Sequence, residues 1–271
     1  MQSKKSRNSK NSEGTSAVVM AFFSTATAVG KTSLAINCAA DLAERGYSVC
    51  VADFDLQFGD ACNYLSLTPD KTVYDYSELP KDMRNARDFA LKTKFGFDVL
   101  PCPNEPDEGF ILETPVLVQA LGDLRRAYDY VLVDTTTGFS GINLAVLEQT
   151  DILYMPCVVD FIPSIKNLKL GLETLRKLQF DSGSIRLILN RDDSLTMISV
   201  KDVEALIGRP FQYFISNDYQ SMMKSIKEAR PVVLAEGKNK VADDISEMMA
   251  AELGESTEDG GLAGWLGSLW K

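Results

Sequence analysis

Short, nearly unbroken apolar runs recur from residue 17 onward, and stretches with helical spacing of apolar positions lie between them. AVVMAFF (17–23), YSVCVAD (47–53), FDVLP (97–101), DYVLVD (129–134), DILYMPCVV (151–159), IRLILN (185–190) and FQYFI (211–215) read as strands. Runs without polar alternation suit strands covered on both faces, as in a parallel sheet. Between them, Leu34, Cys38 and Leu42 share one face of a predicted helix over 31–45, and Gly46 is placed to end it. Residues 115–127 bury Leu117, Leu121 and Leu124 on the same logic, with Thr114 and Pro115 as the expected cap and first-turn pair. Residues 164–178 carry a stripe of Leu168, Leu172 and Leu175. The alternation predicts an α/β fold: a doubly wound, mostly parallel sheet with helices on both faces.

The pattern changes at both ends. Residues 1–14, MQSKKSRNSKNSEG, have almost no apolar group and predict a disordered basic tail. Residues 15–253 read as one domain without internal repeats. Residues 254–271 begin as an acidic linker and end in Leu262, Trp265, Leu266, Leu269 and Trp270, at offsets 0, +3, +4, +7 and +8 on one helical face. So short a segment, weakened by Gly264 and Gly267, holds a helix only against an apolar surface. That surface is a lipid interface, which suits tryptophan, a groove on a partner, or the domain itself. Glu255, Glu258 and Asp259 oppose binding to anionic lipid.

Composition narrows the chemistry. The chain has no histidine, which excludes Ser-His-Asp and Cys-His nucleophile systems, imidazole zinc sites and histidine pH switches. Lys plus Arg is 28 against 38 Asp plus Glu, a net charge of −10. Lys4, Lys5, Arg7 and Lys10 lie in the leader, so the body is more acidic still, which disfavours nucleic acid as a general partner. Cys38, Cys50, Cys62, Cys102 and Cys157 are an odd set without a CxxC pair and read as buried small hydrophobes of a reducing, cytoplasmic compartment. No apolar run reaches the ~20 residues of a membrane span.

Against that background MAFFSTATAVGKTSLAIN (20–37) stands out: a strand, a tight loop, then a helix opening at Gly30, Lys31 and Thr32. This is the order of a phosphate-binding loop, in which backbone amides and the helix dipole hold the anion, a lysine reaches the outer phosphates and a hydroxyl serves Mg²⁺. The GxxxxGK[ST] pattern fails at its first position, Thr25, where a β-branched residue resists a positive φ angle. In VADFDLQFGDACNYLSL (51–67), Asp53 and Asp55 end the second strand, and in YDYVLVDTTTG (128–138) Asp134 ends another. Singly, each aspartate reads equally as a cap or turn residue. Together on strand ends that face the loop, they indicate a nucleotide·Mg²⁺ site.

These residues resemble the MinD/ParA group of deviant-Walker ATPases, whose pattern is KGGxGK[ST], a D-x-D segment, then D-[ST]-P-x-G. Within that group DFDLQFGD (53–60) is similar to the CpaE/TadZ proteins, the assembly and localisation factors of tight-adherence pili. Further matches are YDYVLVDTTTGFSGINLAVLEQTD (128–151), PSIKNLKLGLETLRKL (163–178), LILNRDDS (187–194) and SIKEARPVVL (225–234).

The resemblance implies that Val29, Gly30, Lys31, Thr32, Ser33 and Asp53 belong to the ATP site, and that Thr32, Asp55 and Asp134 serve Mg²⁺, Asp134 through water. Asp55 would align the attacking water, and Asn190 and Arg191 would lie near adenine. It further implies an ATP-dependent homodimer, pilus or secretion assembly proteins as partners, and peripheral contact with the inner face of the cytoplasmic membrane through Leu262, Trp265, Leu266, Leu269 and Trp270. Two departures stand against the pattern. The signature lysine falls on Ala26 and its two glycines on Thr27 and Ala28, and Thr136 and Thr137 replace the usual prolines. The expectation is ATP binding with weak or no hydrolysis. The alternatives are an active partition or positioning ATPase cycling on DNA or membrane, and an iron–sulfur reductase, for which Cys102 and Cys157 are the nearest candidates.

Overall fold

The computed structural model describes residues 16–160, 162–192 and 198–255. The expectations for the basic leader and for Leu262, Trp265, Leu266, Leu269 and Trp270 lie outside the described residues. In chain order the elements are β1 (Val18–Ser24), α1 (Lys31–Glu44), β2 (Val49–Phe54), α2 (Ala61–Tyr64), α3 (Val73–Glu78), β3 (Leu91–Lys92), β4 (Asp98–Leu100), α4 (Pro106–Ile111) and α5 (Thr114–Ala127). There follow β5 (Tyr130–Thr137), α6 (Gly141–Glu148), β6 (Ile152–Cys157), α7 (Ile162–Lys177), β7 (Ile185–Asp192), α8 (Val200–Ile207), β8 (Tyr213–Ser216), α9 (Tyr219–Lys227) and α10 (Lys240–Glu252).

The eight strands form one sheet in the order β3-β4-β2-β5-β1-β6-β7-β8, parallel except for the short edge pair β3–β4. The chain thus winds outward in both directions from a central β1, as the unbroken apolar runs predict. Side chains alternate across β1: Val19, Ala21 and Phe23 enter the core beneath α5, α6, α7 and α8. Met20 and Phe22 enter the core beneath α1 and α10, with Ile245, Met248 and Met249 opposite. The central strands β1, β2, β5 and β6 are therefore covered on both faces, and the site residues lie toward their C-terminal ends.

Helix ends follow local chemistry. Gly46, at φ 94°, lies just beyond the end of α1, and its amide donates to the Ala43 carbonyl. α5 differs slightly from the expected start: Thr114 is its first residue, and Glu113 stands at the cap without a side-chain hydrogen bond. At this same end of α1, Arg45 pairs with Asp41 and Glu255 and donates to the Ser246 carbonyl, fastening the end of α10 to the helix that begins at the phosphate loop. Among the described residues no helix is long and apolar enough to cross a membrane.

Candidate functional site

The segment between β1 and α1, residues 25–30, turns sharply at the C-terminal edge of the central strand. Its left-handed residues are Ala28, at φ 57°, and Gly30, at φ 94°. The strain expected at Thr25 is therefore borne by Ala28, at a cost of ~1–2 kcal/mol for a residue with a Cβ. Thr25 turns outward instead. Its hydroxyl donates to the Asn167 carbonyl at 2.7 Å, and a Cβ at Gly171 would come within 2.9 Å of its methyl group. Ser24 braces the base of the loop, its hydroxyl accepting from the Ala26 amide at 3.0 Å and its carbonyl from Gly138 at 2.9 Å.

Gly30 caps α1, so the free amides of the first helical turn and the positive end of its dipole adjoin the loop. Lys31 is buried, and its ammonium donates to the Thr137 hydroxyl at 3.2 Å. Thr32 donates to Asp134 Oδ2 at 2.5 Å. The other oxygen, Asp134 Oδ1, is buried with no hydrogen-bond partner. Burial pushes the Asp134 carboxyl up to about 7, against the opposing pull of the Thr32 hydroxyl and the Lys31 charge. A carboxylate so desolvated, with one oxygen on the Thr32 hydroxyl and the other unpartnered, fits a hard cation bound together with phosphate oxygens.

Asp53 and Asp134 are register neighbours across β2 and β5. Burial, then the charge of Asp134, drives the Asp53 carboxyl well above its ordinary range. Its oxygens accept from the amides of Asp55 and Ala61 at 3.2 and 3.1 Å, and a Cβ at Gly59 would approach them to 2.5 Å. Asp53 thus shapes the loop over 55–61 from beneath and does not line the cavity above it. Asp55 leaves the strand end and lines the cavity above. Its carboxyl is raised by burial and held back chiefly by Lys31.

Two cavities meet here. One, of about 540 Å³, is lined by residues 27–33 with Asp55, Asp60 and Thr137. The other, of about 420 Å³, is lined by Asn190, Ile215, Met222, Met223 and Ile245. Gly30, Ser33, Arg191 and Ile226 line both. The crevice is charged and rich in amides at one end and mainly apolar at the other, the shape required by a phosphorylated ligand with a flat base. Val29, Gly30, Lys31, Thr32, Ser33, Asp55, Asn190 and Arg191 are brought together around it. The α9 side chains Met222, Met223 and Ile226 were missed from the sequence; SMMKSI (221–226) carried the signal in its helical spacing. Cys102 approaches the Gly59 carbonyl whereas Cys157 approaches Ser164 across the sheet, and burial raises both thiols.

Residues 17–181 match the family described as an AAA domain. The chain is 28% identical to the cell division protein PomZ of Myxococcus xanthus over 236 residues, covering 81% of this chain and 73% of that protein. Among solved structures, a ParA family ATPase from Chlorobium tepidum superposes with a TM-score of 0.78 at 23% identity, over 86% of this chain and 98% of that one. The septum site-determining protein MinD of Pyrococcus horikoshii, complexed with Mg-ADP, superposes at 0.75 and 18% identity, over 87% and 96%.

Proposed function

Because the chain belongs to the MinD/ParA superfamily of deviant-Walker ATPases, we propose that it binds ATP·Mg²⁺ as a dimerisation and conformational ligand and hydrolyses it slowly or not at all. In this reading it is a CpaE/TadZ-like localisation factor at the inner face of the membrane, on which a pilus or secretion machine assembles. Lys31 and the amides of residues 29–33 would hold the phosphates, Thr32, Asp55 and Asp134 would serve Mg²⁺, and Asp55 would align the attacking water. The bound ion would neutralise phosphate charge. The Leu262, Trp265, Leu266, Leu269 and Trp270 face supplies the membrane or partner contact.

The observation that carries the reading is Ala26. The phosphate cradle is otherwise furnished, yet the residue that would offer a cation to the partner's phosphates is a methyl group packed with Val29 and Val158. A cation supplied in trans to a transferring phosphoryl group is worth roughly 10³–10⁵ in turnover. Binding, by contrast, uses groups this chain retains.

The test combines calorimetry with ATP, solution mass with and without ATP·Mg²⁺, and steady-state phosphate release. Expected are ATP binding lost in Lys31→Ala, a dimer mass only with nucleotide, and phosphate release at background. Multiple-turnover release abolished by Lys31→Ala overturns the reading. It would favour the second one, an active positioning or partition ATPase cycling on DNA or membrane; similarity to a cell division protein, a ParA family ATPase and a septum site-determining protein supports the positioning part of that reading.

A further inference from the structure

Asn190 and Arg191 come from β7, which is separated from β1 by β6, yet both reach the phosphate loop. Asn190 Nδ2 donates to the Val29 carbonyl at 2.8 Å, and the Arg191 guanidinium donates to the Ala28 carbonyl at 3.0 Å. The pair is braced in turn, since Asn190 Oδ1 accepts the Arg191 amide at 3.0 Å and Arg191 itself is held at φ 57°. A Cβ at Gly30 would stand 2.4 Å from Asn190 Nδ2, so the loop passes directly under this side chain.

A trans peptide is rigid and planar, and its N–H points opposite to its C=O. Fixing the carbonyls of Ala28 and Val29 on the β7 side therefore aims the amides of Val29 and Gly30 to the other side. Loops that bind phosphate through amides need their carbonyls turned away and satisfied. Here three consecutive residues, Ala26, Thr27 and Ala28, stand where glycines or a lysine would otherwise be, and Ala28 is held at a positive φ. Backbone freedom is reduced, and an outside clamp keeps the strained peptides in one orientation.

We propose that Asn190 and Arg191 are positioning residues of the phosphate loop, clasping the carbonyls of Ala28 and Val29 so that the adjacent amides are oriented before any ligand arrives. The inference rests on the reading that this loop binds nucleotide phosphates. It differs from a role at the base, because a clasp acts on phosphate alone.

The experiment uses the full chain and two variants, Asn190→Ala and Arg191→Ala. Calorimetry is run with Mg²⁺ and either ATP or inorganic tripolyphosphate, which has no base. Hydrogen exchange over residues 25–31 is followed without ligand. The expected result is that Asn190→Ala weakens ATP and tripolyphosphate by a similar factor, about tenfold, and that both variants speed ligand-free exchange in the loop. Weaker ATP binding with unchanged tripolyphosphate binding overturns the proposal and assigns Asn190 to the base. Unchanged exchange in both variants overturns it as well, even if the wild-type chain binds neither ligand. That last outcome by itself refutes the nucleotide reading and leaves the exchange measurement to decide the clasp.

Discussion

Replacing Asp134 by asparagine should stabilise the nucleotide-free protein at neutral pH while removing its hold on Mg²⁺. Asp134 is 1% exposed, faces Asp53 in the β2–β5 register, and has one oxygen on Thr32 and one on nothing. Burial raises its carboxyl from the ordinary 3.8 to about 7. The folded chain therefore holds this proton more tightly than the unfolded chain does. The associated stability is complete below about pH 4, falls as pH rises through the carboxylate range, and is gone above about 7. At about 1.36 kcal/mol per pH unit the ionised group costs the fold a few kcal/mol, ~4 at most, because the titration is shared with Asp53. Asparagine keeps the shape and an acceptor for the Thr32 hydroxyl without the charge.

The assay is thermal unfolding in EDTA without nucleotide, from pH 5 to 8, read as variant minus wild type so that other carboxylates cancel. At pH 7.5 the variant should melt about 4–8 °C higher, and the difference should shrink toward pH 5. A variant less stable than wild type at pH 7.5, or a difference that does not change with pH, would refute the argument that Asp134 is an uncompensated buried charge awaiting a cation.

Other expectations follow from the same geometry. Gly30→Ala meets both a φ of 94° and Asn190 at 2.4 Å, so ATP affinity should fall more than tenfold and stability by about 2 kcal/mol, checked by calorimetry and urea unfolding. Ala26→Lys should raise phosphate release at least tenfold if the missing cation limits turnover; a fluorescent phosphate assay decides it. Burial pushes the Cys62 and Cys157 thiols up to about 12 and about 11, and raises Cys38, Cys50 and Cys102 as well. At pH 7.5 iodoacetamide should leave all five nearly unlabelled in the folded chain and label all five in urea, by intact mass. Rapid labelling of Cys102 and Cys157 together would revive the iron–sulfur alternative. Arg45→Ala loses its partners Asp41, Glu255 and the Ser246 carbonyl, and should cost about 1–2 kcal/mol and speed exchange at the end of α10.

The central strands were legible because they are buried on both faces, and burial on both faces writes itself as an unbroken apolar run. The edge pair was not: β3 is only Leu91 and Lys92, too short and too polar for any period to register. Short helices escaped for the same reason, although Thr72 and Asp75 spell out the capping box that starts α3. In α10, Val241, Ile245, Met248 and Met249 do repeat at helical spacing, but acidic residues interleave and mask the stripe. At the site, Lys31 and Thr32 could be read because they open a helix with their chemistry adjacent in sequence, and Asp134 because it is a lone carboxylate in an apolar strand, although that strand runs on to Thr137 rather than ending there. Asp53 could not be separated from Asp55, since the strand stops at Phe54 and only the backbone path shows one carboxylate turning beneath the loop and the other rising above it.

The same distinction explains how the loop accommodates Thr25. A pattern of glycines marks where freedom is permitted, while the conformation is fixed by what surrounds the loop. Thr25 is held by Asn167 and Gly171 of α7, and the next two turns of the loop by Asn190 and Arg191 of β7, contacts more than 140 residues away in sequence. Losing glycines there need not dismantle a phosphate site if neighbouring elements impose the geometry the glycines would have allowed. Under the proposed function, Ala26 at the signature-lysine position is different in kind, because no hydrogen bond from within the same domain would replace a charge meant for another molecule's phosphates. A protein whose occupancy, rather than whose catalytic rate, carries the signal would keep this set of residues.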